Sequence, residues 1–281
     1  MTPFAFTPAV DRLIDMALAE DIGPGDITTD HTVPSEAVGQ AVIVAKEDLV
    51  IAGLAVAQRV FERLDAGIRF VCRYDDGDRI AKGLTVVSLS GRLAPLLTGE
   101  RTALNFLQRL SGIATHVHAY VATLQGHSVQ LLDTRKTTPG WRELEKYAVK
   151  TGGGTNHRMG LYDAVLIKDN HIASAGGIGA AVQRVKAHIS PGMTIEVETA
   201  TLDEVRQALQ AGAHIIMLDN MDLDQIRAAV ELVAGRAKLE VSGGVTRQHL
   251  SALAATGVDY ISSGALTHSA RAVDLSMRIR A

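Results

Sequence analysis

The second half of the chain repeats one pattern, in which a short apolar run typical of a strand is followed by an amphipathic stretch typical of a helix. The apolar runs are "VQLLD" (129–133), "AVLIK" (164–168), "MTIEVE" (193–198), "HIIML" (214–218), "AKLEV" (237–241) and "DYISS" (259–263). Strands that are apolar throughout are buried on both faces, as in parallel sheets whose strands alternate with helices. The pattern predicts an α/β barrel, and six visible strands rather than eight predict an incomplete one.

Helices are predicted between and after these strands, at 140–150, 175–188, 201–211, 222–234, 246–256 and 265–280. The carboxyl ends of parallel barrel strands meet at one mouth, where the active sites of such folds lie. Polar or glycine residues follow all six predicted strands, so we expect them to form one composite pocket.

The first half of the chain predicts both helices and strands, without a regular repeat. "TPAVDRLIDMALAEDIG" predicts a helix with Thr7 as its N-cap and Gly23 at its end. "QAVIVAKE", "IRFVCRY" and "LTVVSLSG" predict strands, and "AVAQRVFERL" predicts a helix packed on their sheet. Residues 98–125 predict helical structure that is broken near Ser111-Gly112. This half is therefore expected to be an α+β layer domain with a helical connector.

The composition excludes several classes of function. A net charge of −3 disfavours nucleic acid or a membrane surface as the main partner. No apolar run approaches the roughly 18 residues that span a bilayer, and the N-terminus lacks the basic region of a signal peptide. The single cysteine, Cys72, cannot form an internal disulfide and is expected to be a buried structural thiol. A reducing cytoplasm is the expected location.

Cations gather in three neighbouring stretches, "DTRKTTPG" (133–140), "TGGGTNHRMG" (151–160) and "LIKDNH" (166–171). In an acidic chain this local cluster indicates a small anionic ligand, which the glycines would let the backbone approach closely. Plainer interpretations stay open: Arg135 and Lys136 as a solvated pair, and the glycines as a flexible loop. Lys168 suits a Schiff-base nucleophile, an anion ligand or a salt-bridge partner. His171 is interpreted as structural.

Acids and Gly/Ser loops follow the later strands. Glu198 and Asp219 could hold Mg²⁺, bind sugar hydroxyls or balance the lysines. "VSGGV" and "SSGAL" place free backbone N–H groups before helices, an arrangement that favours phosphate. These parts support a transfer reaction between a phosphorylated sugar and a carboxylated acceptor.

Several stretches together resemble the quinolinate phosphoribosyltransferase family: "ERTALNFLQRLSGIAT", "DTRKTTPGWRELEKYAVKTGGGTNHRMGLYDAVLIKDNH", "IEVE", "MLDN", "SGGV" and "GALTHS". The resemblance implies an N-terminal open-faced α/β sandwich with a helical connector over 1–126 and a C-terminal incomplete, TIM-like α/β barrel over 127–281. The extreme C-terminal helix is expected to pack back on the first domain. The resemblance also implies a homodimer, with each site completed by the partner's N-terminal domain, and allows larger assemblies.

The resemblance implies that quinolinate and phosphoribosyl pyrophosphate give nicotinate mononucleotide, pyrophosphate and CO₂ in de novo NAD biosynthesis, with Mg²⁺ as cofactor. The implied quinolinate-binding residues are Arg101, which would act on the partner's site, Arg135, His157, Arg158 and Lys168. The residues implied around phosphoribosyl pyrophosphate and its phosphate are Lys136, Ser242, Gly243, Gly244, Gly264 and His268. The implied catalytic residues are Lys136, Lys168, Glu198 and Asp219, with the two acids also near Mg²⁺.

Other readings stay open. A paralogous phosphoribosyltransferase associated with molybdenum transport shares the "TRK" motif, although we expect it to lack "TGGGTNHR" and "IKDNH". A barrel aldolase would use Lys168 as a Schiff-base nucleophile, and a non-catalytic protein would only bind phosphorylated metabolites. Trp141 and Ser263 depart from the family pattern, and neither removes a charged role.

Overall fold

The computed structural model describes residues 4–280. The chain forms two compact units and passes between them more than once. The first unit consists of 4–118, 138–153 and 269–280, and the second of 119–137 and 154–268.

The elements fall into two series along the chain. The first series is α1 (Pro8–Ile22), α2 (Ile27–Thr32), β1 (Val38–Ala45), β2 (Leu49–Val50), α3 (Leu54–Leu64), β3 (Arg69–Cys72), β4 (Arg79–Ile80), β5 (Thr85–Arg92) and α4 (Leu93–Ala122). The second is β6 (Gln130–Leu132), α5 (Arg142–Thr151), β7 (Val165–Ile167), α6 (Asp169–Ala175), α7 (Ile178–Lys186), β8 (Ile195–Thr199), α8 (Leu202–Ala211), β9 (Ile215–Asp219), α9 (Leu223–Val233), β10 (Lys238–Ser242), a 3₁₀ turn (Arg247–His249), α10 (Leu250–Ala254), β11 (Tyr260–Ser262), α11 (Ala265–His268) and β12 (Leu275–Arg280).

The first unit contains an antiparallel sheet in the order β12-β1-β5-β3. The predicted strands and the helix α3 are confirmed. Helix α1 begins and ends as predicted, since the Thr7 side chain accepts a hydrogen bond from the Val10 N–H and Gly23 caps the other end at φ 53°. Cys72 is exposed, so its predicted burial is wrong.

The predicted C-terminal helix is wrong beyond residue 268. Helix α11 ends at His268, and Leu275–Arg280 instead forms β12, which pairs antiparallel with β1. "LSMRIR" begins with alternating apolar and polar residues, and Leu275 and Met277 are buried. This period-two pattern suits an edge strand better than a helix. The segment therefore joins the sheet of the first unit as a strand.

Helix α4 continues through Ser111-Gly112 without the predicted break. The Ser111 Oγ accepts a hydrogen bond from the Ala52 N–H at 3.0 Å, so the serine is fixed by a neighbouring segment. A Cβ on Gly112 would overlap the carbonyl oxygen of Arg271. Gly112 is thus a helical glycine that lets a backbone segment pack directly on the helix.

The second unit contains a parallel sheet in the order β6-β11-β10-β9-β8-β7. All six predicted strands are confirmed, and with them the combination of an N-terminal antiparallel α/β unit and a parallel β/α unit. Within residues 4–280 no ladder joins β6 to β7, although Leu132 forms an isolated parallel bridge with Thr155.

The predicted helix at 175–188 begins three residues later, at Ile178, and a separate helix, α6, ends at Ala175. Helices α6 and α7 are separated by Gly176 and Gly177, whose φ angles of 86° and 131° are incompatible with a continuous helix. Across the described part of the chain, no helix combines the length and the apolar character needed to cross a membrane.

The packing at Gly112 gives a testable prediction for stability. We expect Gly112→Ala to lower the free energy of unfolding by about 1–3 kcal/mol, because the new methyl group would overpack against backbone that cannot move aside cheaply. Gly179, in α7, is the matched control, since a Cβ there would meet nothing within 4 Å. Gly179→Ala should be neutral or stabilising by up to about 1 kcal/mol. Equal melting temperatures for the two variants would contradict this account.

Candidate active site

The carboxyl ends of the parallel strands surround one cavity of about 810 Å³ within the second unit. The ladder places the strand ends side by side, with Ser242 in register with Asp219 and Glu198 in register with Met217. Every predicted site residue except Arg101 lines this cavity: Arg135, Lys136, His157, Arg158, Lys168, Glu198, Asp219, Ser242, Gly243, Gly244, Gly264 and His268. The expected composite pocket is therefore present.

Arg135 and Arg158 form a cationic part of the cavity wall, here called the cationic wall. The pKa of the Arg158 guanidinium is lowered by burial and by the positive charge of Arg135. Arg158 also donates from Nη1 to the Ala164 carbonyl at 3.1 Å, which fixes its direction. Two guanidiniums close enough to repel each other are stabilised when an anion binds between them. This wall therefore suits a ligand with carboxylates.

His157 is held from two sides. Its backbone N–H donates to the fully buried Asp133 at 2.8 Å, at the carboxyl end of β6. The preceding Thr155 N–H donates to the Leu131 carbonyl at 2.8 Å, so this loop is attached to β6. The His157 Nε2 contacts Glu196 at 2.8 Å and lies 3.7 Å from Glu240.

Glu240 is not among the residues singled out from the sequence, and no role is predicted for Glu196, which lies in the predicted strand "MTIEVE". Their side chains are 0% and 4% exposed. Burial and the neighbouring Glu196 raise the pKa of Glu240 to about 7, while His157 and Ser262 oppose the rise. The sequence signal that could have found Glu240 is a glutamate between two apolar residues of a predicted strand, Leu239 and Val241, since a buried acid requires a partner.

The three glycines of "TGGG" have a different role from the one expected. Gly152 packs on helix α4, because a Cβ there would lie 2.5 Å from the Ala114 carbonyl oxygen. Among the described residues that line the cavity, none belongs to 152–154. The expectation that these glycines admit the ligand to the backbone is therefore wrong for this conformation.

Glycines in the later loops do lie at the cavity. Gly243 has φ 93°, and a Cβ there would overlap the side chain of Asn220. A Cβ on Gly264 would lie 2.7 Å from Cδ of Lys136. The Thr267 hydroxyl donates to the Lys136 carbonyl at 2.8 Å, which ties the "TRK" loop to α11. These close approaches explain why both positions hold glycine, since a larger residue would displace Asn220 or Lys136.

Glu198 and Asp219 offer carboxylate oxygens, which are the ligands that Mg²⁺ prefers. Glu198 is ion-paired with Lys168, and Asp219 accepts a hydrogen bond from Nδ2 of Asn220 at 2.8 Å. In the part of the chain that the structure describes, these two acids belong to no group of three metal-ligand side chains. They fit an ion whose remaining ligands come from a bound phosphate group, rather than a site built wholly of protein.

Arg101 lies in the first unit. Its side chain on α4 is exposed and borders a hollow of about 320 Å³ together with Asp26 and Thr98. Of the predicted site residues, this is the one that does not line the cavity of the second unit.

A parallel β/α unit with cations and acids at the carboxyl ends of its strands defines an α/β enzyme that acts on anionic substrates. The family model for the N-terminal domain of quinolinate phosphoribosyl transferase matches residues 26–111, and the model for its C-terminal domain matches 113–278. The chain belongs to the quinolinate phosphoribosyltransferase family.

Relatives match along nearly the whole chain. A protein of Synechocystis sp., named probable carboxylating nicotinate-nucleotide pyrophosphorylase, is 46% identical over 96% of this chain and 92% of its own length. A protein of the same name from Bacillus subtilis is 44% identical over 95% of this chain and 92% of its own length. The structure of the nicotinate-nucleotide pyrophosphorylase from Francisella tularensis has a TM-score of 0.95 and 42% identity, covering 99% of this chain and 98% of the other.

The raised pKa of Glu240 predicts a pH-dependent stability. The folded protein keeps this proton at pH values where the unfolded chain has released it. The stabilisation is complete below the ordinary value of 4.5 and is lost as the pH rises through about 7. We therefore expect the melting temperature to fall across this window, and to fall less steeply in Glu240→Gln, which cannot ionise. The control is Glu231→Gln, at an exposed position of α9, which should follow the unmodified protein. Identical slopes for all three proteins would contradict the assignment.

Proposed function

We propose that the protein transfers the phosphoribosyl group of phosphoribosyl pyrophosphate to quinolinate with loss of CO₂, giving nicotinate mononucleotide and pyrophosphate for NAD biosynthesis. The observation that carries this proposal is the cavity of about 810 Å³ whose lining combines cations, acids and Gly/Ser loops. Quinolinate needs fixed cations for two adjacent carboxylates, and the donor needs a phosphate site beside groups that tolerate positive charge.

The acceptor would bind at the cationic wall. Arg135 and Arg158 offer planar donor pairs for carboxylates, and His157 and Lys168 add further positive groups on the same wall. Burial and, second to it, the positive charge of Arg135 lower the pKa of Arg158, and a bound dianion would offset both effects.

Phosphoribosyl pyrophosphate would bind at the Gly/Ser loops that follow β10 and β11. The backbone at Gly243, Gly244 and Gly264 can approach a 5′-phosphate closely, and Ser242 and His268 add polar side chains. Lys136 lies against Gly264, so its ammonium group can reach the same phosphate groups. Glu198 and Asp219 would lie by the ribose and would hold Mg²⁺, which when bound offsets the negative charge of the pyrophosphate.

The reaction would then proceed by positioning and electrostatics. The bond from C1′ to the pyrophosphate oxygen breaks with its electron pair on the leaving group, while the pyridine nitrogen forms the new C1′–N bond. Glu198 and Asp219 stabilise the positive charge that develops on the ribose. The electron pair of the C2–carboxylate bond stays on C2 as CO₂ leaves, stabilised by the adjacent pyridinium nitrogen, and a proton from water then forms the C2–H bond with it.

The ion pair between Lys168 and Glu198 disfavours the aldolase reading. A Schiff-base lysine attacks as a neutral amine, and a carboxylate in contact with Nζ stabilises the ammonium form instead.

We also propose a homodimer in which Arg101 of one subunit completes the partner's site. Arg101 is an exposed arginine outside the cavity, as such a role requires. We further propose that the protein is cytoplasmic, because the exposed thiol of Cys72 suits a reducing compartment.

The decisive assay uses purified protein, Mg²⁺ and phosphoribosyl pyrophosphate with either quinolinate or nicotinate. We expect mononucleotide and CO₂ in equal amounts from quinolinate, and no mononucleotide from nicotinate. Turnover of nicotinate alone would retain the transferase chemistry but contradict the dicarboxylate pocket. Absence of product from both acceptors would contradict the proposed function.

The shared site predicts complementation between two inactive variants. Arg101→Ala and Lys136→Ala should each be inactive alone, because each removes a charged contact from every site. After subunit exchange in an equal mixture, half of the dimers are mixed and each has one intact site, so we expect about a quarter of native activity. Failure to recover activity, with exchange demonstrated by differently tagged subunits, would contradict a role for Arg101 on the partner's site.

A further inference from the structure

Two buried carboxylates lie behind His157, on the side of the ring that carries Nε2. Glu196 contacts that nitrogen at 2.8 Å, and Glu240 lies 3.7 Å from it. The ligand atoms of these three side chains all lie within 4.8 Å of one another. They come from the loop between α5 and β7 and from strands β8 and β10, so three separate segments bring them together.

These acids have few other partners. Oε1 of Glu196 and both carboxylate oxygens of Glu240 are buried and make no hydrogen bond of normal geometry. A buried carboxyl group without partners costs several kcal/mol, so such a pair persists only where a positive group or a proton compensates for it. The His157 ring lies near both acids, while Arg158 also acts on Glu196 and Lys168 on Glu240 through their charges.

His157 lines the same cavity as three cationic side chains, Arg135, Arg158 and Lys168. Near these cations, protonation of the imidazole would be unfavourable unless carboxylates lay close to the ring. Lys168 is already paired with Glu198, so that acid is engaged elsewhere.

We propose that Glu196 and Glu240 are positioning residues that hold the His157 ring in place and keep it positively charged, so that it binds a carboxylate of the acceptor. This role rests on the proposed function for its ligand, although the charge on His157 is a property of the protein itself. The main contact comes from Glu196, and Glu240 supports it from a greater distance. The two acids thereby determine how strongly the pocket prefers an acceptor with two carboxylates.

The raised pKa of Glu240 agrees with this arrangement. Burial and Glu196 raise this pKa, as expected where two carboxyl groups share one partner. A bound divalent cation would be another way to compensate the acids, and it would take Nε2 of His157 away from Glu196. The test below separates these two possibilities.

The charge on His157 can be measured without substrate. Side-chain ¹⁵N NMR at pH 7.5, with the signals assigned by comparison with His157→Asn, should show both ring nitrogens protonated in the unmodified full-length protein. Glu196→Gln should give a neutral ring, because its amide keeps the shape of the acid without its charge. Glu240→Gln should give an intermediate protonated fraction, and Glu231→Gln should match the unmodified protein.

Binding measured by calorimetry provides the second readout. We expect Glu196→Gln to weaken quinolinate binding about 10- to 100-fold, as for the loss of one charge-assisted contact, with phosphoribosyl pyrophosphate binding changed less than about twofold. Arg158→Ala should show the same selective loss and serves as the reference. If Glu196 had only a structural role, Glu196→Gln would lower the melting temperature and weaken the binding of both ligands equally.

Three results would overturn the proposal. The first is a protonated ring in Glu196→Gln. The second is tighter quinolinate binding by that variant, since the acids would then only repel the acceptor. The third is stoichiometric Zn²⁺ or Mn²⁺ binding that Glu240→Gln abolishes, which would assign the three side chains to a metal. A charged ring in a protein that binds no quinolinate would instead contradict the proposed function and leave the positioning role in place.

Discussion

The balance between clustered cations and the acids around them determines the character of this site. The pKa of Arg158 is lowered by burial and by the positive charge of Arg135, so negative groups nearby are favourable. Glu198 provides a carboxylate to Lys168, and Glu196 provides one to His157. Because each acid is attached to a strand of the parallel sheet, the cations are fixed in direction before a ligand arrives. Preorganisation of this kind is what allows positioning to accelerate a reaction.

The parallel ladder explains why so many groups from distant parts of the chain meet. Each βα repeat adds one strand in register with its neighbour, as shown by Ser242 opposite Asp219. A polar residue placed at the end of any strand therefore faces the same cavity, whatever its separation in sequence. The loops differ in how they are held: Gly243 packs against Asn220, and the "TRK" loop is tied to α11 through Thr267.

Much of this arrangement can be predicted from the sequence, because the end of a strand and the polar residue after it can be recognised from a few neighbouring residues. Apolar runs located all six parallel strands, and the polar residues after them identified the cavity wall. The errors concern features decided by distant contacts. "LSMRIR" forms a strand because β1 offers an edge, and α4 stays continuous because Gly112 meets the backbone near Arg271. Glu240 lies inside a strand rather than after it, so a search of strand ends could not find it.

The loss of CO₂ and the binding of the acceptor place opposite demands on such a pocket. A strongly cationic wall binds the dianion but also stabilises the carboxylate that must leave. The number of cations alone therefore does not determine turnover, because only contacts that are stronger in the transition state than in the ground state raise the rate of the chemical step. The direction of each cationic or donor group matters as well. The contact between Glu196 and Nε2 of His157 fixes one of these directions, and the hydrogen bond from Arg158 to the Ala164 carbonyl fixes another.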